Sequence, residues 1–222
     1  MSSLDLQSAA RSSHDADVQK PISLRLSLPF PSAVSVLMEA LGLALQARTA
    51  FEARIRQLQR HGVPIRDARD PRLIYGIAEL AAFATATKLM DAFMVPALAA
   101  RYVTEKLEAL GDFALAGAIE ALPKGYVARR TISTDHFAVF GAHALAQMGQ
   151  RHRHDARYIA PLGMVQIVSA SGIADVLSQA EGAAIILDAR TYMPVIVNRW
   201  TELTGATAAE TGLELDRLRY FE

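Results

Sequence analysis

A chain of 222 residues, 51% of them hydrophobic, is long enough to bury one large core or two small ones without covalent staples. Its 23 basic residues are matched by 23 acidic ones, so no global field draws it to nucleic acid or to an anionic bilayer. It contains no cysteine, which excludes disulfides, thiolate metal sites, cysteine nucleophiles and cysteinyl cofactor adducts, and makes the cytoplasm the expected compartment.

Residues 1–21 are rich in Ser, Asp and Gln and hold no apolar core of signal-peptide length, so a disordered tail is predicted there. Residues 22–28 (ISLRLSL) alternate strictly, which predicts a strand paired with one from the C-terminal segment. From Ser32 the period changes, and Val34, Leu37, Leu41, Leu45, Ile55 and Leu58 predict one long helix to Arg60, stopped at His61-Gly62. Asp70-Pro71 reads as a helix start, with the pattern from Leu73 running to about Leu110 and kinked or divided at Pro96. Residues 77–100 have nearly the length of a membrane span. Glu79, Lys88 and Asp91 interrupt them, however, which predicts a buried core helix and no membrane contact. Gly111-Asp112 is expected to separate this helix from a short one ending near Pro123-Lys124-Gly125, and Ser133 or Thr134 to cap another running to Arg151. Short connections imply an antiparallel bundle. Beyond it, residues 164–169 read as a strand, 173–179 as a short helix, and 184–188 and 194–197 as strands by β-branched content. Thr207 and Glu210 have capping-box spacing and start a final helix. The predicted class is mainly α: a tail over 1–21, a strand plus helical bundle over 22–155, and a small α/β segment over 156–222.

The chain lacks Gly-x-Gly-x-x-Gly, phosphate-loop, Gly-x-Ser-x-Gly and His-Glu-x-x-His patterns, so no catalytic residue is assigned. His136 and His143 lie two helical turns apart in the predicted helix, too far to chelate one ion unaided, and no Glu-x-x-His accompanies them; no metal is expected. The run Arg151-His152-Arg153-His154-Asp155, with Arg157, repels cations. Arg151, Arg153 and Arg157 are the candidate contacts for an anion or nucleic acid, set against the ordinary role of a solvated helix end.

Residues 182–222, with Asp188, Pro194, Asn198, Arg199-Trp200-Thr201-Glu202-Leu203-Thr204-Gly205 and Gly212, resemble the opening of a PAS sensory domain. The resemblance implies a strand ending at Asp188 and a second ending at Asn198. It further implies a helix capped by Asn198 and packed through Trp200, in a truncated or degenerate unit. The light-sensing flavin subgroup would need a cysteine near residues 217–221, so a covalent flavin adduct is excluded; any other cofactor is unassigned. Trp200 is expected to be buried between the final helices and strands near Ile186 and Ile196. The resemblance implies a regulatory or sensory signalling protein of bacterial type, homo-oligomeric through its bundle, with a protein partner. The alternatives are a helical oligomeric adaptor without catalytic activity, and an enzyme whose pocket uses Glu79, Asp135, His136 or His143.

Overall fold

A computed structural model describes residues 26–64, 75–127, 132, 135–141, 162–179 and 184–218. The predicted tail, Asp70-Pro71, His143 and the basic run from Arg151 to Arg157 lie outside them. The described chain is mainly helical, with a small antiparallel sheet. No helix among the described residues is long and apolar enough to cross a membrane.

Of the alternating segment, residues 26–28 are described and form no strand. Leu26 and Leu28 are buried and Ser27 is not, so the alternation marks burial; the Leu28 amide donates to the Tyr75 carbonyl at 3.2 Å instead of joining a ladder. Pro29 then precedes α1 (Phe30–Ala40). The expected long helix is two, because α1 stops at Gly42 (φ 67°) and α2 (Arg48–Arg60) follows a 3-10 turn. The Gly42 and Leu43 amides return to the Glu39 and Met38 carbonyls, a Schellman stop that the apolar stripe conceals in the sequence.

Helix α3 (Ile77–Asp91) is buried along most of its length and forms the axis of the molecule. It ends in the same kind of stop, with the Phe93 and Met94 amides returning to Met90 and Leu89. Here the left-handed position, φ 67°, is held by Phe93. Pro96 does divide the predicted helix, opening α4 (Pro96–Glu105). Gly111 and Asp112 separate nothing: they lie inside α5 (Leu107–Gly117), and the break falls at Lys106. Gly111 is buried, so its missing side chain serves close packing and not a turn.

The helix predicted from Ser133 or Thr134 is overturned where it is described. Phe137–Gly141 is β1, the centre of a sheet ordered β2-β1-β3, with β2 at Val165–Val168 and β3 at Ala184–Asp188. Aromatic and β-branched residues buried on both faces favour the strand once two partners exist. Both pairings are antiparallel, Ala138 facing Ile167 on one side and Leu187 on the other. Ala138 and Phe140 join the main core, and the Phe140 ring meets Tyr102 of α4 edge-on at 5.3 Å. Val139, on the opposite face, is buried beside α6 (Ile173–Gln179), whose Val176 is also buried.

Residues 194–197 are helical, not a strand. They belong to α7 (Met193–Thr204), with proline in the first turn and Met193, Ile196, Val197 and Trp200 buried along one face. That i, i+3, i+4, i+7 spacing outweighs β-branched content because it closes the core. Asn198 is therefore exposed in mid-helix and caps nothing. The predicted capping box forms as expected: Thr207 opens α8 (Ala208–Asp216), its Oγ1 accepting from the Glu210 amide while Glu210 accepts from the Thr207 amide.

Candidate functional site

Tyr75 and Gly76, immediately before α3, are the meeting point of three parts of the chain. The Tyr75 carbonyl accepts from the Leu28 amide and from Trp200 Nε1, at 3.2 and 3.3 Å. Trp200 is 0% exposed, as expected, but it packs through α7 toward this junction. The strands proposed as its neighbours are not there: Ile196 shares its helix, and Ile186 is partly exposed on the sheet.

Around Gly76 three charged side chains converge. The Gly76 amide donates to Glu79 Oε2 at 2.9 Å, the return bond of a helix start. Arg217 Nη2 donates to Glu79 Oε1 at 3.0 Å, and Arg217 Nη1 reaches both oxygens of Glu214 at 3.1 Å. The two carboxylates are almost fully enclosed, with side-chain exposures of 7% and 5%, whereas the guanidinium retains 35%. A β-carbon at residue 76 would strike Glu214 Oε2 and crowd Glu79 Oε2, so glycine makes room for both acids. Burial pushes the Glu214 carboxyl above the usual carboxylate range, and neither Arg217 nor the Ile77 amide offsets it fully. Burial pulls the Arg217 guanidinium down, yet Glu79 and Glu214 together hold it above its ordinary value. Both shifts follow from two acids sharing one base in a dry place.

Next to this cluster, Leu218 forms one wall of a narrow apolar cleft, open to solvent, whose interior space of about 20 Å³ is room for about one water molecule. Ala78, Ala81, Ala82 and Thr85 of α3 face Leu110, Gly111 and Ala114 of α5 across it. Small residues on both helices leave the space open. The Thr85 hydroxyl is hydrogen-bonded to Tyr192 Oη at 2.8 Å, and burial drives the Tyr192 phenol far above its ordinary pKa, against the effect of that bond.

Of the residues singled out in the sequence, Glu79 alone belongs to this cluster. Asp135 and His136 stand at the entry to β1, where the His136 carbonyl accepts from the Ala189 amide and its ring lies 4.5 Å from that of Phe137. Asp188 caps a 3-10 turn and pairs with Arg190; burial raises its carboxyl, but Arg190 outweighs this and holds it below its usual range. Among the described residues no group of three His, Asp or Glu could hold a metal. Sequence reasoning missed Gly76, Glu214 and Arg217. The one local signal was the Glu214-x-x-Arg217 spacing on the last helix.

No family model matches this chain, and no curated protein or solved structure is significantly similar to it.

Proposed function

We propose that this chain is a ligand-responsive regulatory protein: a small apolar molecule enters and widens the narrow cleft between α3 and α5, and the C-terminal helix α8 reports its presence. The observation that carries this reading is the position of Leu218, which walls the cleft while the adjoining Arg217 ties the end of α8 to the start of α3. Whatever fills or widens the cleft pushes on the residue next to that tie. An apolar lining with one hydroxyl suits a ligand that displaces water from hydrocarbon rather than one held by charge.

Solvent extraction of the purified protein followed by mass spectrometry tests the reading. A discrete small molecule is expected from the parent chain and absent from Ala82→Leu, which fills the cleft from a half-buried position. Its absence from both, or equal recovery from both, would remove the ligand-binding reading.

The second reading, a homo-oligomeric adaptor, is favoured by Phe93. Helix ends at Gly42, Gly62 and Gly205 place glycine in the left-handed position, and Phe93 occupies the equivalent place with 86% of its surface exposed. A bulky residue held in the left-handed region is a strained position, and such strain gathers at functional contacts. Sedimentation equilibrium decides it: a stable dimer or larger assembly supports the adaptor, and a monomer at high concentration removes it.

A further inference from the structure

We propose that docking of α8 on α3 takes up one proton at Glu214, so that the C-terminal helix sits tighter in mildly acidic than in alkaline solution. This rests on the regulatory reading only in treating α8 as the moving part, and it tests that part separately from the cleft.

The argument is a count of charges and donors. Glu79 and Glu214 face the same point beside Gly76, nearly enclosed, with one guanidinium between them. Among the described residues, the cluster carries one uncompensated negative charge away from water when both acids are ionised, a state that favours protonating one of the pair. Each acid has one guanidinium nitrogen and one backbone amide, but the donors are placed differently. Glu79 receives separate donors at its two oxygens, the Gly76 amide and Arg217 Nη2. Glu214 shares the single nitrogen Nη1 between its oxygens, a poorer geometry than two parallel bonds, and adds the Ile77 amide. That placement, with the burial that raises the Glu214 carboxyl, assigns the proton to Glu214, and one carboxylate then remains for one guanidinium. The other charged groups of α8 have partners of their own. Asp216 accepts from Tyr126 Oη at 2.9 Å, Glu210 is committed to the Thr207 cap, and α7 meets α8 through the Thr201 and Thr211 hydroxyls at 3.2 Å.

The sign follows directly. A carboxyl whose docked-state pKa lies above its free value contributes stability that is fully present below the free value and is lost as the pH rises through the docked one. Undocking α8 releases Glu214 to its ordinary range, so docking weakens across that window and then levels off.

Hydrogen exchange on the full chain, expressed as protection factors to remove the intrinsic pH dependence of exchange, measures this at the Leu215, Arg217 and Leu218 amides. In the parent protein protection should fall by up to about tenfold per pH unit above the ordinary carboxylate range, then reach a plateau. Glu214→Gln should abolish the slope and exceed the parent on the alkaline side. Arg217→Gln, which leaves two acids without their base, should lose protection at pH 8 and regain it in acid. A flat parent profile, or a parent-like slope in Glu214→Gln, would overturn the proposal. So would an equal slope at the α7 amides, because the proton would then belong to global folding and not to α8. None of these outcomes depends on whether a small molecule co-purifies, so the two readings can fail separately.

Discussion

Helices α7 and α8 lie side by side on α3, yet they are held there by different physics. Helix α7 buries Met193, Ile196, Val197 and Trp200, and its polar links toward α3 are neutral ones, from Tyr192, just before it, to Thr85 and from Trp200 Nε1 to the Tyr75 carbonyl. Helix α8 also buries Leu215, and Leu218 beyond its end, but beside them it places the carboxylate of Glu214 and the guanidinium of Arg217 against Glu79. Apolar contact does not titrate and is not screened by salt. An ion cluster is sensitive to pH and to salt, and its net value in a dry site is small because desolvation opposes attraction. The pairing teaches that two neighbouring helices can join one core, one by apolar burial with neutral hydrogen bonds and the other by apolar burial beside an enclosed ion cluster.

Trp200→Ala breaks the comparison most severely. Removing a fully enclosed indole and its bond to the Tyr75 carbonyl should lower stability by about 3–5 kcal/mol in urea denaturation, with α7 and the core failing together. A loss under ~1 kcal/mol would mean that α7 is no more essential than α8. Tyr192→Phe sharpens the same side. It leaves the buried Thr85 hydroxyl without its partner, at an expected cost of about 1–3 kcal/mol, and Thr85→Val in the same chain should recover part of it. Full additivity of the two changes would show that the hydroxyls do not act as a pair. The smallest effect is at Phe93, outside both helices. Phe93→Gly relieves a left-handed backbone at an exposed position and should raise stability by about 0.5–1 kcal/mol. If the adaptor reading holds, the same variant dissociates in the ultracentrifuge.

What could be read beforehand and what could not divides along the range of the interactions involved. The Thr207 cap, the short helix at 173–179 and the strands at 165–168 and 184–188 were legible because their signals lie within a few residues of the element. The strand at 137–141 was not, since Phe-Ala-Val-Phe after a capping residue also opens a helix; its identity comes from partners found only after residue 164. Residues 194–197 misled in the opposite direction. Their β-branched content was read without the stripe that joins them to Met193 and Trp200. The ion cluster had least warning of all, because Glu79 and Arg217 are 138 positions apart and nothing local to either announces the other.

The order of strands in the sheet bears on how the chain is made. As synthesis proceeds from the N-terminus, β1 emerges first, and it is the central strand, whose two ladders need Val165–Val168 and Ala184–Asp188. The earlier helices can collapse with α3 as soon as they appear, but β1 must wait for tens of further residues with both backbone edges unsatisfied. Translation therefore passes through an interval in which an apolar strand, Phe-Ala-Val-Phe, offers two open edges at once.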